Sequence, residues 1–152
     1  MSKITAAITA VGAYVPEYVL TNEILETMVE TNDEWITTRT GIKERRILKD
    51  PDKGTSFLGI KAAEDLINKS GVDPSEIDMV IMATATPDLP VASTAAYVAT
   101  QIGATNAFSY DLQAACSSFL YGMSTASAYV ASGKYKKVLL IGADKMSSII
   151  DY

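Results

Sequence analysis

The sequence predicts an α/β fold: a mostly parallel sheet with helices on both faces. Three observations predict it. Residues 79–84 are a continuous apolar run of strand length, as fits a strand covered on both faces, and residues 136–142 read as another buried strand around Val138-Leu-Leu-Ile141. Between such runs lie stretches with helical spacing, at 55–70, 93–101 and 116–132. Each of those three ends at a glycine: Gly71, Gly103 or Gly133. Strands alternating with helices build βαβ units.

Taken in order, residues 3–11 are mostly apolar with two threonines and read as a first strand, ended by the turn residues Gly12 and Pro16. Thr21 and Asn22 offer an N-cap for a short helix over 22–29, with Ile24, Leu25 and Met28 facing inward. Thr31-Asn32-Asp33 caps a second helix, 34–40, closed by Gly41. Residues 49–54 form a loop. Thr55 or Ser56 then caps a helix to Ser70, whose rows Leu58, Ala62, Leu66 and Ile60, Ala63, Ile67 face inward.

Asp73-Pro-Ser-Glu76 makes one turn before the strand at 79–84, and residues 85–89 are a loop. Ser93 caps a helix to about Gln101. A buried strand is predicted at 107–112. It runs into a helix that carries Cys116 and lasts to Ser132, and a further buried strand follows at 136–142. From Leu112 to Gly133 no residue is charged, which predicts a helix buried on every side. After Asp144 the sequence runs Lys-Met-Ser-Ser-Ile-Ile-Asp-Tyr152 and stops with no capping helix or polar tail, which reads as a cut through a longer chain.

The 152 residues suit one domain with a real core. A net charge of −5 opposes any general attraction to nucleic acid. The uncharged run holds five serines, two tyrosines and a glutamine, which favours a soluble helix over a membrane span. One cysteine forms no disulfide framework and no cysteine cluster for a metal, and it fits a reducing cytoplasm. The chain has no histidine, so a histidine partner for Cys116 would have to come from elsewhere.

Two stretches carry candidate chemistry. In Asp111-Leu-Gln-Ala-Ala-Cys116-Ser-Ser-Phe119, the cysteine sits where a strand turns into a helix, among small residues that admit a substrate. Unpaired N–H groups and the positive end of the helix dipole lie there and favour a thiolate nucleophile. The alternative is a small core hydrophobe. In Asn32-Asp-Glu-Trp35-Ile-Thr-Thr-Arg39, an indole and a guanidinium share one helix face, a seat for a purine and a phosphate. Lys43, Arg45, Arg46 and Lys49 follow; a solvated basic face with one core tryptophan is the alternative there.

With these motifs in hand, the sequence resembles the N-terminal half of β-ketoacyl-acyl-carrier-protein synthase III, a thiolase-fold condensing enzyme. Two motifs carry the resemblance: Asn32-Asp-Glu-Trp-Ile-Thr-Thr-Arg-Thr-Gly-Ile42 followed by Arg45, and Asp111-Leu-Gln-Ala-Ala-Cys-Ser-Ser-Phe119. The resemblance implies a fatty-acid-initiating acyltransferase. An acyl group passes from coenzyme A to Cys116, then condenses with malonyl-acyl-carrier protein. It implies that Trp35 stacks on the coenzyme A adenine, with Thr31 near the base and Arg39 on phosphate. Coenzyme A thioester is then a substrate, and no cofactor is bound permanently and no metal is held.

The resemblance further implies that residues 1–152 are one of two halves. The decarboxylating His and Asn belong to the C-terminal half, a separate or cleaved chain, and this chain alone condenses little or nothing. It implies a cytoplasmic homodimer of the complete enzyme, paired through the strand at 107–112, acting on neither nucleic acid nor membrane. Many members carry Phe-Pro where this chain has Val91-Ala92; that aromatic walls the partner's acyl pocket, so Val91 implies room for a primer larger than acetyl. Two other readings remain: a non-catalytic partner subunit of a condensing-enzyme assembly, and a polyketide or long-chain ketone priming enzyme of the same fold.

Overall fold

The computed structural model describes residues 4–151. Among the described residues five strands run β1 Tyr18–Thr21, β2 Glu44–Ile47, β3 Met79–Ala83, β4 Phe108–Leu112 and β5 Val138–Gly142. Among them also run five α-helices, α1 Asn22–Glu26, α2 Asp33–Thr40, α3 Thr55–Ser70, α4 Thr94–Gln101 and α5 Ser118–Ala131. The described residues divide into two compact units, 4–14 with 53–144, and 15–52 with 145–151.

The larger unit is the predicted α/β assembly. Its sheet is parallel in the order β4-β3-β5, with Met79 opposite Phe108 on one side and Val138 on the other. Period-two alternation sends Val80 and Met82 to one face and Met79, Ile81 and Ala83 to the other. All five are buried, because β3 is the central strand and both faces are covered. Val80, Met82, Leu139 and Ile141 pack with Ala63 of α3 and with Ala95, Val98 and Ala99 of α4 in one apolar core. Helix α5 lies on the opposite face, where Gly122 sits against Leu140.

Close packing of α3 depends on small residues. Gly59 faces Met82 and Ile141, and Gly12 lies so close to α3 that an added Cβ would stand 2.5 Å from the Ala62 carbonyl oxygen. Ala13 N–H donates to Asp65 Oδ2 at 2.9 Å, tying the same stretch to the helix. Gly103 and Gly133, with φ of 84° and 75°, take the left-handed conformation past α4 and α5.

The smaller unit is a β1–β2 antiparallel ribbon with α1 and α2, and Tyr18 lies opposite Ile47. Asn22 is its buried polar centre. Its amide donates to Asp33 Oδ1 (2.7 Å) and the Ile42 carbonyl (2.9 Å), and its carbonyl oxygen accepts from Arg45. The Asp33 carboxyl is held below the ordinary carboxylate range, first by Asn22 and then by Lys43 and Thr37.

Several expectations are corrected. The described part of the first predicted strand, residues 4–11, forms no strand; Lys3 lies outside the described residues. Apolar residues and threonines suit a strand, but a strand exists only where a ladder partner is present. Helix α1 ends at Glu26 instead of Val29, and Ile24 and Met28 are exposed, because the short helix is anchored through Asn22 and not through an apolar face. Neither Thr55 nor Ser56 caps α3: Gly54 is its N-cap, and Asp88 accepts the Ser56 N–H at 3.1 Å.

The ribbon β1–β2 was not foreseen, since Glu44-Arg-Arg-Ile47 reads as a charge run. Strands β4 and β5 flank β3, so they are only partly buried, and Phe108 is exposed. Helix α5 is buried only at Ser118 and Gly122, while Phe119, Leu120, Tyr121 and Met123 are exposed. The absence of charge marks a helix suited to cover on all sides, but these residues supply cover on one. Among the described residues no helix is long and apolar enough to cross a membrane.

Candidate active site

In the larger unit, Cys116 is set at the carboxyl end of the parallel sheet, where α/β folds place their ligands. Three carboxylates organise that end. Asp144 Oδ1 accepts from Thr84 Oγ1 (2.9 Å), Ala85 N (2.7 Å), Thr86 N (3.0 Å) and Thr86 Oγ1 (2.9 Å). Asp88 accepts the Ser56 N–H at the start of α3. Asp111, near the end of β4 before the cysteine, accepts from Thr94 N (2.8 Å), Ala95 N (2.7 Å) and Ser93 Oγ (3.2 Å). Each negative charge lies where unpaired helix or loop N–H groups converge. The strand end leading to Cys116 is thereby bound to the N-terminus of α4.

The turn itself is strained. Ala115 has φ of 46°, the left-handed region that a residue with a Cβ enters at a cost of about 1–2 kcal/mol. Ala115–Ser117 form a single 3-10 turn, with Ser117 N–H donating to the Ala114 carbonyl at 3.0 Å, and α5 continues from Ser118. Cys116 is therefore in the tight turn ahead of the α-helix, not in its first α-helical turn. A sharp strand-to-helix turn with one strained residue lifts a nucleophile clear of its surroundings. Cys116 is exposed accordingly, so the core-hydrophobe alternative does not hold for the described chain. Ser118, only 3% exposed, is folded back beneath the turn.

In the smaller unit, Trp35 and Arg39 come together as their spacing predicts. The guanidinium carbon stands 4.5 Å from the indole centroid, and Arg39 donates to the Trp35 carbonyl at 3.4 Å. Asn32, the N-cap of α2, accepts the Trp35 N–H at 2.7 Å and fixes the start of the helix. Ile36 is the buried residue of α2, whereas Trp35 is 52% exposed, so the indole is no core residue. Thr31 is half-buried just ahead of the cap.

The other cations are engaged locally. Lys43 pairs with Asp33 at 3.0 Å, Arg45 with Asn22, Arg46 with the Pro16 carbonyl and Glu44, and Lys49 lies 3.5 Å from the Tyr18 ring centroid. These four brace the ribbon. Sequence reasoning missed Asn22, Asp111 and Ser118, whose roles show only in their long-range or turn-spanning bonds. An acidic residue five positions before the cysteine was the one signal available.

The fold is that of the thiolase-like condensing enzymes. Within that class, the chain matches the N-terminal half of β-ketoacyl-[acyl-carrier-protein] synthase III along its whole length. The family model described as 3-oxoacyl-[acyl-carrier-protein (ACP)] synthase III matches residues 110–152. The chain is 54% identical over 152 residues to β-ketoacyl-[acyl-carrier-protein] synthase III 2 of Bacteroides thetaiotaomicron, covering all of this chain and 45% of that one. It superposes on the crystal structure of 3-oxoacyl-[acyl-carrier-protein] synthase III from Aquifex aeolicus with a TM-score of 0.89 and 44% identity, covering 93% of this chain and 46% of the other. A priming β-ketosynthase of the R1128 polyketide pathway gives a TM-score of 0.89 at 37% identity, with coverage of 93% and 42%. The chain thus spans a little under half the length of the relatives it matches.

Proposed function

We propose that this chain is the nucleophile-bearing half of an acyltransferase that initiates fatty-acid synthesis. Cys116 attacks the carbonyl of an acyl-coenzyme A, the thiolate of coenzyme A leaves, and an acyl-cysteine forms. Malonyl-acyl-carrier protein then loses carbon dioxide, and its carbanion displaces the cysteine to give a β-ketoacyl product. The tetrahedral oxyanion is met by the backbone N–H of Cys116 as one donor. Trp35 receives the adenine, Thr31 lies beside it, and Arg39 contacts phosphate. The observation that carries this reading is the exposed Cys116 on a strained turn at the carboxyl end of the sheet.

Decarboxylation calls for groups this chain does not carry, a histidine among them. A C-terminal half, joined, cleaved or separate, supplies them and covers α5, whose Leu120 is 64% exposed. The complete enzyme pairs with a second copy through β4, an edge strand of the described sheet. The deciding experiment is intact-mass analysis of every polypeptide in the purified sample, before and after incubation with acetyl-coenzyme A. A companion chain and a gain of one acetyl group on Cys116 support the reading. An inert Cys116 in the assembled protein leaves a non-catalytic partner subunit instead.

Primer choice is the finer question. Val91 is 98% exposed, as a side chain that meets a partner chain would be. Smaller than an aromatic, it leaves room for a primer larger than acetyl. Acylation of Cys116 is to be compared among acetyl-, branched and longer acyl-coenzyme A; strict preference for acetyl would sink the idea.

A further inference from the structure

Ser118 lies two residues past the nucleophile, and its hydroxyl closes a small circuit. It accepts the Ala114 N–H at 2.7 Å and donates to the Ala115 carbonyl at 2.8 Å. Those two groups bracket Ala114 and Ala115, and Ala115 is the only described residue other than glycine with positive φ. Ser118 is also one of the two buried residues of a helix whose other residues are partly or fully exposed, so its hydroxyl is committed to this turn and shielded from water.

The consequence for Cys116 follows from peptide geometry. The Ala115 carbonyl and the Cys116 N–H belong to one planar trans peptide, so they point in opposite directions. A hydroxyl that holds the carbonyl toward Ser118 therefore holds the Cys116 N–H away from it. The left-handed conformation of Ala115 sets the direction in which this peptide leaves the turn and, with it, that of the Cys116 side chain.

We infer that Ser118 is a positioning residue for acyl transfer: it fixes the Ala115–Cys116 peptide so that thiol and N–H address one acyl carbonyl together. The inference rests on Cys116 being the acylated nucleophile. It goes beyond that reading by assigning a task to a hydroxyl that touches no substrate. An unconstrained peptide would populate orientations in which the thiol is still exposed but the N–H no longer meets the oxyanion.

The test compares two reactions of Cys116 in the full protein carrying its C-terminal half. Alkylation by iodoacetamide needs only an accessible thiol, whereas acylation by acetyl-coenzyme A needs the oriented N–H as well. Ser118→Ala is expected to slow acylation by about tenfold or more, with KM for acetyl-coenzyme A and the alkylation rate unchanged. Ser118→Thr, which keeps the hydroxyl, is expected to recover most of the acylation rate. Acylation at the wild-type rate in Ser118→Ala overturns the proposal. So does a parallel fall of both reactions with a lowered Tm, which marks a purely structural role. A wild-type protein that alkylates but never acylates overturns the nucleophile reading itself, and this inference with it.

Discussion

The carboxylate of Asp111 accepts the backbone N–H of Ala95 at 2.7 Å, joining the strand that leads to Cys116 to the first turn of the neighbouring helix α4. The bond crosses 16 residues of sequence, and the Thr94 N–H shares the same carboxylate. One side chain therefore satisfies two N–H groups at a helix start, with its negative charge at the positive end of the dipole.

Asp111→Ala is expected to destabilise the protein by about 2 kcal/mol, the range of a lost helix cap made by a charged group. Asp111→Asn keeps an acceptor oxygen and is expected to cost less. Urea unfolding of the two variants checks the order; equal stability of wild type and Asp111→Ala would remove the cap from the account.

Gly12→Ala is expected to cost about 1–3 kcal/mol by overpacking. The new methyl would meet the Ala62 carbonyl oxygen and Leu66 N, both at 2.5 Å. These are backbone atoms of α3 and cannot step aside as a side-chain tip would. Gly71→Ala is no control, because its positive φ strains any side chain; Ser70→Ala, on the exposed end of the same helix, is. Thermal unfolding separates them.

Asp33 gives the smaller unit an acid sensitivity with a definite sign. Its folded-state pKa is depressed, chiefly by the Asn22 amide. The group therefore adds stability that is fully present above the ordinary carboxylate value, and that is lost as pH falls through that value toward the lower folded one. Between about pH 5 and about pH 3, Asp33→Asn is expected to lose less Tm than wild type does. Asp65, Asp73 and Asp78, also held low, keep the variant's slope above zero.

Trp35→Ala is expected to raise KM for the acyl-coenzyme A by about tenfold, the worth of one base–aromatic stack. Its kcat is expected to stay within about twofold, since the proposed stack involves a remote part of the substrate in ground and transition states alike. Steady-state kinetics of the complete enzyme test this; an unchanged KM would place the nucleotide elsewhere.

Much of this was legible in the sequence because it depends on local rules. Met79-Val-Ile-Met-Ala83 is apolar without alternation, and such a run has one good solution, a strand covered on both faces. Trp35 and Arg39 meet because i and i+4 residues of a helix always neighbour each other. The glycines at 41, 71, 103 and 133 ended helices because left-handed turns favour a residue without a Cβ.

The sequence by itself determined the α/β class, the order of the elements along the larger unit, the junction that bears Cys116 and the Trp35–Arg39 face. These follow from periodicity, caps and spacing, which act over a few residues. Only the tertiary structure decided that residues 4–11 lack a ladder partner, that α5 is covered on one side, and that Asn22 is the buried centre of a ribbon. It alone revealed that Asp111 reaches α4 and that the Ser118 hydroxyl bonds both the Ala114 N–H and the Ala115 carbonyl. Pairing, cover and long-range hydrogen bonds depend on what stands opposite in space, and local sequence holds no record of that neighbour.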